Sequence, residues 1–130
     1  MSKEAMGQIW TEISLSNPRD EDIKPVKVRA LADTGAMMLC IPEPLACLLD
    51  LDLQLTRDVT LADGQKIKVP YAGPIRVNFE NRFCFVGALV MGDDVLLGAV
   101  PMEDMDLVLN PAHRQVTVNP ASPDRPRYRA

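Results

Sequence analysis

The stretch Leu31-Ala32-Asp33-Thr34-Gly35-Ala36 places one acidic residue inside an otherwise apolar part of the sequence. Alternating residues precede it at 26–30, and residues 37–39, whose two methionines are expected to pack in the core, follow it. A carboxylate between two buried segments carries a desolvation penalty unless it is hydrogen-bonded, paired or protonated. Asp-x-Gly is also common turn chemistry, because an aspartate can bond its own backbone. Asp33 is therefore either an ordinary turn residue or a carboxylate placed there for chemistry.

The rest of the sequence is typical of short strands joined by turns. Its eleven prolines are scattered along the chain and disfavour a helical bundle. Alternating or apolar runs predict strands at residues 9–15, 26–30, 39–41, 59–61, 66–69, 75–79, 83–86, 95–98, 107–109 and 116–118. Short helices are predicted at residues 42–49 and 99–105. This pattern favours an all-β barrel or sandwich.

Turn residues join these predicted strands into hairpins. Ala62-Asp63-Gly64-Gln65 lies between two strand-like segments, and Asp-Gly in that position is a strong hairpin signal. A second hairpin is predicted with its turn at Asn81. No linker is evident, so residues 1–130 are predicted to form one domain. The tail from residue 119 contains three prolines and four charged residues, and we expect it to be poorly ordered.

Composition and charge disfavour several classes of function. The chain has 14 basic and 18 acidic residues, a net charge of −4, which argues against binding nucleic acid or an anionic membrane. It also has only one Trp, two Tyr and three Phe, few for a β-barrel that stacks on bases. There is no long apolar run, and Met1-Ser2-Lys3-Glu4 lacks the apolar stretch of a secretory signal. A cytoplasmic protein is expected.

The residues that bind metals and cofactors are sparse. Cys40, Cys47 and Cys84 are odd in number and show no Cys-x-x-Cys spacing, so buried thiols are favoured over disulfides or a zinc site. His113 is the one histidine and is expected in a solvated turn. The seven glycines form neither a dinucleotide fingerprint nor a phosphate loop. No metal and no cofactor are expected.

The order of these segments resembles the retropepsin-like (clan AA) aspartic peptidases, in particular their bacterial single-domain type. A strand precedes Asp33-Thr34-Gly35, a hairpin follows at Ala62-Asp63-Gly64, and Leu96-Leu97-Gly98 stands before a short helix. The resemblance covers about residues 28–118. It implies a closed, mainly antiparallel β-barrel with one or two short helices, and a homodimer.

The same resemblance implies roles for individual residues. Asp33 would be the catalytic carboxylate, with Thr34 and Gly35 completing the active-site loop and Thr34 bonding across the dimer interface. Ala36 would line the substrate cleft. The hairpin residues Ala62, Asp63 and Gly64 would form a flap over an extended peptide, although Asp63 itself is expected to serve the turn. Leu96-Leu97-Gly98 would brace the active-site loop.

The chemistry of such a site needs two carboxylates. Two aspartates a hydrogen bond apart cannot readily both ionise, so they share a proton while one activates water and the other polarises the scissile carbonyl. Asp33 is the only aspartate followed by Thr or Ser and then Gly. A symmetric homodimer would have to supply the second Asp33. The expectation is an aspartic endopeptidase acting on peptide or protein substrates. The alternative is a non-catalytic module of the same fold that binds an extended peptide or dimerises a larger assembly.

Overall fold

A computed structural model describes residues 7–129 of the chain, and within that range it contains nine strands and two short helices. The strands are β1 (Ile9–Ser16), β2 (Val26–Ala32), β3 (Leu39–Ile41), β4 (Thr56–Thr60), β5 (Lys66–Phe79), β6 (Arg82–Val90), β7 (Val95–Leu97), β8 (Leu107–Asn110) and β9 (Gln115–Val118). The helices are α1 (Glu43–Leu48) and α2 (Ala99–Asp104). The prediction of a mostly β protein with two short helices is confirmed.

Six of the strands close into a barrel. Their order is β1-β2-β7-β3-β6-β5, and β1 pairs back with β5 to complete the circle. The β2–β7 and β3–β6 pairs are parallel, and the other four pairs are antiparallel. Closure gives every one of the six strands two hydrogen-bonded neighbours, so the barrel itself has no open edge. The predicted closed, mainly antiparallel barrel is confirmed.

Alternating side chains fill the interior of the barrel. In β1, Ile9, Ile13 and Leu15 are buried, whereas Glu12 is exposed. Each buried aliphatic side chain of this kind contributes roughly 1.5–3 kcal/mol to the free energy of folding. Fully buried residues from the other barrel strands complete the core: Ala30, Leu39, Ile41, Ile75, Val77, Ala88 and Leu97. The alternation of apolar and polar residues in the sequence therefore corresponds to side chains that lie alternately inside and outside the barrel.

One pair of predicted strands is a single element. Residues 66–69 and 75–79 belong to the 14-residue strand β5, so the predicted break between them is wrong. The register against β6 shifts between Ala72 and Ile75, where Gly73 and Pro74 lie. Proline cannot donate to a strand ladder, and a bulge accommodates it without ending the strand.

The β4–β5 hairpin extends from the barrel, since β4 pairs with β5 alone among the described strands. Its turn is closed by the Leu61 N–H, which donates to the Gln65 carbonyl at 2.8 Å. Gly64 has φ +86°, a left-handed conformation that favours glycine. Asp63 Oδ1 accepts the Gln65 N–H at 2.9 Å. The predicted hairpin is confirmed, and Asp63 serves the turn.

The tail, residues 119–129, lies against the barrel rather than away from it. Asp106 accepts hydrogen bonds from Ser122 Oγ at 2.5 Å, Arg127 N–H at 3.0 Å and Asn119 Nδ2 at 3.1 Å. These donors, Ser122 first, hold the pKa of the Asp106 carboxyl below its usual range, and the Arg82 guanidinium adds to the effect. The polar groups of the tail thus have defined partners, and the poor order expected from its prolines and charges stays a prediction.

The cysteines and the helices bear on two further expectations. Cys40 and Cys84 are buried free thiols, as predicted, whereas Cys47 is exposed on α1. Between residues 7 and 129, neither helix has the length and apolar character needed to cross a membrane. The N-terminal residues 1–4, from which a cytoplasmic location was expected, lie outside the described part of the chain.

Candidate active site

The Asp33 loop, residues 33–38, joins β2 to β3 over the end of a third strand. β7 lies between β2 and β3 in the barrel, parallel to β2 and antiparallel to β3. The chain leaving β2 must therefore cross the carboxyl end of β7 to reach β3. This crossing places Asp33 at the end of two central strands whose backbones are fixed by the barrel.

Backbone hydrogen bonds hold the Asp33 loop to the connection between β7 and α2. The Asp33 N–H donates to the Leu97 carbonyl at 3.0 Å. Further along, the Ala99 N–H donates to the Ala36 carbonyl at 2.8 Å and the Val100 N–H donates to the Met37 carbonyl at 2.9 Å. Both ends of the loop are thus anchored by main-chain bonds that no side-chain rotation can break.

Gly98 permits this close approach. A Cβ added at Gly98 would lie 2.3 Å from the Met38 carbonyl oxygen and 2.8 Å from that of Ala36. No side chain can occupy that space, so any other residue at position 98 must displace the Asp33 loop. The structure therefore places Leu97-Gly98 against the loop as a brace.

The Asp33 side chain is half-buried and only partly engaged. Its Oδ1 accepts the Gly35 N–H at 2.9 Å, and its carbonyl accepts the Ala36 N–H at 3.1 Å. A Cβ at Gly35 would lie 3.1 Å from Oδ1, tighter than most such contacts. Among the described residues, no side chain forms a hydrogen bond or an ion pair with the carboxylate. Its Oδ2 thus remains available to a second carboxyl group or to a water.

The Cys40 thiol lies close enough to Asp33 for the charge of the carboxylate to affect it. Burial raises the pKa of the Cys40 thiol, and the negative charge of Asp33 raises it further. The thiol is therefore neutral at physiological pH and is no nucleophile. Cys40 was expected to be a buried thiol, and β3 positions it in the core, two residues after the end of the loop.

Exposed apolar side chains lie in the Asp33 loop and beside it, and one of them was not expected from the sequence. Met37 was expected in the core but is 66% exposed, and Val100, bonded to it through the backbone, is 40% exposed. Thr34 and Gly35 are also exposed. The only sequence signal for Met37 was its place directly after the Asp-Thr-Gly turn, where the chain has not yet re-entered a strand.

The structure brings together some of the expected site residues and leaves others apart. Asp33, Thr34, Gly35 and Ala36 form one turn, with Ala36 half-buried. Ala62, Asp63 and Gly64 are all exposed at the tip of the β4–β5 hairpin. No hydrogen bond joins that tip to the Asp33 loop within residues 7–129. In the same range, no group of three or more His, Cys, Asp or Glu side chains is placed to hold a metal ion.

Comparison with known proteins finds no family model and no curated protein that matches the chain. The resemblance to retropepsin-like peptidases therefore stays a prediction. It is carried by Asp33-Thr34-Gly35 and by the order of the segments around that motif.

Proposed function

We propose that the chain is a retropepsin-like aspartic endopeptidase in which the Asp33 carboxylates of two identical chains form the catalytic dyad. The observation that carries the proposal is the Asp33 carboxylate itself. It is fixed by the Gly35 N–H on one oxygen, open on the other, and mounted on a loop anchored to Leu97 and Ala99. An ordinary turn aspartate needs no such anchoring of its loop to the end of β7 and the start of α2.

The chemistry requires a second carboxylate because one group cannot be both base and acid in the same step. With one proton shared between two carboxyl groups, the ionised one takes a proton from water as the water oxygen bonds to the scissile carbonyl carbon. The protonated one donates its proton to the carbonyl oxygen. The C–N bond of the resulting diol then breaks as the first carboxyl group gives its proton to the nitrogen and the second takes a proton from a diol hydroxyl, which yields a carboxylic acid and an amine and restores the single shared proton. No metal or cofactor is needed for this sequence.

The surface around Asp33 fits a contact with a second copy of the chain. Met37 and Val100 are exposed apolar side chains beside an exposed turn that carries Thr34 and Gly35. Pairing two such surfaces about a two-fold axis would bury the apolar side chains and bring the carboxylates together. It would also exclude water from the dyad, which strengthens the interaction between the two charges.

The β4–β5 hairpin is suited to cover a bound peptide. Its tip contains Ala62, Asp63 and Gly64, all exposed, and β4 has one free edge among the described strands. A free edge can add an extended substrate through main-chain hydrogen bonds. The peptide backbone would then be held in an extended form, with its scissile carbonyl open to attack by the water that the dyad activates.

Replacing Asp33 with asparagine tests this proposal. In Asp33→Asn the amide oxygen can still accept the Gly35 N–H, so the loop keeps its geometry while the base is lost. We expect cleavage of an unfolded casein substrate to fall at least about 1,000-fold between roughly pH 4 and pH 7.

Asp52→Asn is the matched control, because Asp52 Oδ1 also accepts a backbone N–H two residues on, from Gln54 at 3.0 Å. We expect its cleavage rate within about twofold of wild type. Unchanged cleavage by Asp33→Asn would refute the proposal. A wild-type protein that forms dimers but cleaves nothing would favour the non-catalytic alternative.

A further inference from the structure

The outer face of β6 carries a groove that reaches Met38, the last residue of the Asp33 loop, and Val100 on one side. Three adjoining cavities of about 270, 300 and 280 Å³ share Phe85 in their walls. We call them together the β6 groove. One end lies at Leu55 and Tyr71, near the base of the β4–β5 hairpin, and the other lies at Arg82 and Tyr128.

The groove is lined by apolar side chains that the single chain leaves exposed. Phe83 and Phe85 are 48% and 52% exposed, and their rings meet edge to face with centroids 5.7 Å apart. Leu55 at one end is 64% exposed. Single exposed apolar residues are ordinary, but a contiguous row of them marks a surface that binds something.

Cys84 adds no charge to the wall beside Phe83. Cys84, which lines the same cavity as Phe83, has its thiol pKa raised to about 12 by burial, with a further contribution from Asp104. The thiol is therefore neutral at physiological pH. An apolar side chain entering the groove would meet the exposed aromatic carbon of Phe83 and Phe85.

Arginines surround the groove although the whole chain is acidic, with a net charge of −4. The Arg76 guanidinium lies 4.3 Å from the centroid of the Phe83 ring, and that of Arg57 lies 4.3 Å from the centroid of the Tyr71 ring. Arg82 lines one end, and Asp104 is the acidic residue in the walls. A ligand that combines carboxylates with apolar side chains would complement this surface.

Arg82 has unused capacity to bind a carboxylate. Its side chain is 1% exposed, and its Nη2 donates to the carbonyl oxygen of Ser122 in the tail. Among residues 7–129, no hydrogen-bond partner lies within reach of its Nε or Nη1. A buried guanidinium with unpaired donors is costly, and a carboxylate is the acceptor that its planar fork fits best.

The tail occupies the Arg82 end of the groove. Pro126 and Tyr128 line the cavity there, and the Tyr128 hydroxyl donates to the carbonyl oxygen of Asp104. Asn81 Nδ2 donates to the Pro123 carbonyl at 2.9 Å. Tyr128 is nevertheless 62% exposed, so little apolar area holds this end of the tail in place. The chain's own extended segment thus fills a position that another peptide can take.

We propose that the β6 groove binds an extended peptide segment of another protein in which acidic residues alternate with aromatic or aliphatic ones. From Arg82 to Gly87 the groove follows six residues of β6, about 17 Å at roughly 3.3 Å per step, which accommodates about six extended residues. Carboxylates pair with Arg76 and, once the tail moves aside, with Arg82. Apolar side chains pack on Phe83 and Phe85. The tail competes for the Arg82 end. The inference is independent of catalysis by Asp33.

Fluorescence anisotropy with a labelled synthetic peptide of alternating Glu and Phe, about ten residues long, tests the inference on the full chain. We expect saturable binding that Phe85→Ser weakens at least about tenfold and Arg76→Gln several-fold. The same peptide with Lys in place of Glu should bind at least about tenfold more weakly. Both positions are on the surface, so neither variant removes core packing. Asp33→Asn should bind the peptide like wild type.

Leu48→Ser is the matched control, because Leu48 is 61% exposed on α1 and lines none of the three cavities. Its affinity should equal that of wild type. Tyr128→Ala should bind more tightly, and weaker binding would refute competition by the tail. Equal binding of the Glu and Lys peptides, or unchanged binding by Phe85→Ser, would overturn the proposal. It would also be overturned if Phe85→Ser only converted dimers to monomers, since the groove would then bind a second copy of this chain.

Discussion

Asp33 follows the barrel strand β2 and Asp106 follows the helix α2, and their carboxylates are engaged very differently. Asp106 accepts from Ser122 Oγ, Asn119 Nδ2 and the Arg127 N–H, which uses its capacity to fix the tail. From the part of the chain that the structure describes, the Asp33 carboxylate accepts one backbone N–H, that of Gly35 at 2.9 Å, and its other oxygen has no partner there. The Asp106 carboxylate therefore stabilises the position of the tail, whereas the Asp33 carboxylate is positioned by its neighbours and can still bind another group.

The two residues also differ in what fixes the position of their backbone. Asp106 sits at φ +54°, a left-handed conformation that non-glycine residues rarely adopt, and its side chain bonds the tail from there. Asp33 relies on other residues to fix its position, namely Leu97 through a main-chain bond and Gly98 through close packing. Changing a neighbour should therefore damage the Asp33 site, whereas the role of Asp106 depends on its own carboxylate.

Two experiments test this comparison, and the larger effect is expected from Gly98→Ala, on the rate of cleavage. The added Cβ would lie 2.3 Å from the Met38 carbonyl oxygen, so the Asp33 loop has to move. We expect cleavage to fall at least about 100-fold, because small displacements of catalytic groups are costly. Urea unfolding should show a loss of roughly 1–3 kcal/mol.

Gly92→Ala provides the control for that variant. Gly92 has φ +75°, but nothing lies within 4 Å of a Cβ added there. Its substitution should cost roughly 1 kcal/mol from the backbone alone and leave cleavage within about twofold of wild type. If Gly98→Ala cleaves as fast as Gly92→Ala, the brace between β7 and the Asp33 loop has no part in catalysis.

The smaller expected effect is the response of the tail to low pH. Because its folded pKa is lowered, Asp106 stabilises the native state fully above the ordinary aspartate pKa of about 3.9 and loses that contribution as pH falls through the lower folded value. The amide proton shift of Arg127, measured by NMR, should stay constant above about pH 5 and titrate with a midpoint below about 3.9.

Asp106→Asn should abolish that titration and lower stability at neutral pH, with the difference from wild type vanishing in strong acid. Asp33→Asn should leave the Arg127 titration intact, because its carboxylate makes no bond to the tail. A midpoint above about 4.5, or a titration that survives in Asp106→Asn, would show that another group controls the tail.

Local patterns in the sequence predicted most of the strands. Alternation in β1 and the Asp-Gly turn before β5 are local signals, because burial and turn geometry depend on neighbouring residues. The two residues Gly73 and Pro74 misled the prediction of β5, since a bulge absorbs a proline that would otherwise end a strand.

The long-range features could not be predicted from the residues alone. β7 enters between β2 and β3 from more than 50 positions later in the chain, and nothing local encodes that insertion. From the sequence alone, Asp106 and Arg82 are charged residues between predicted elements. In the structure each of them forms a hydrogen bond with Ser122 of the tail. The sequence did identify Asp33 as the candidate carboxylate. Its anchoring and its open oxygen are tertiary properties.

The most direct test of the central claim mixes wild-type chains with Asp33→Asn chains and measures cleavage per wild-type chain. If two Asp33 carboxylates from different chains form one site, mixed dimers are inactive. With a ninefold excess of the variant and random exchange of subunits, activity per wild-type chain should fall about tenfold. Labelled mixed dimers would verify the exchange. Unchanged activity per wild-type chain after verified exchange, or full activity in a strict monomer, would contradict the account.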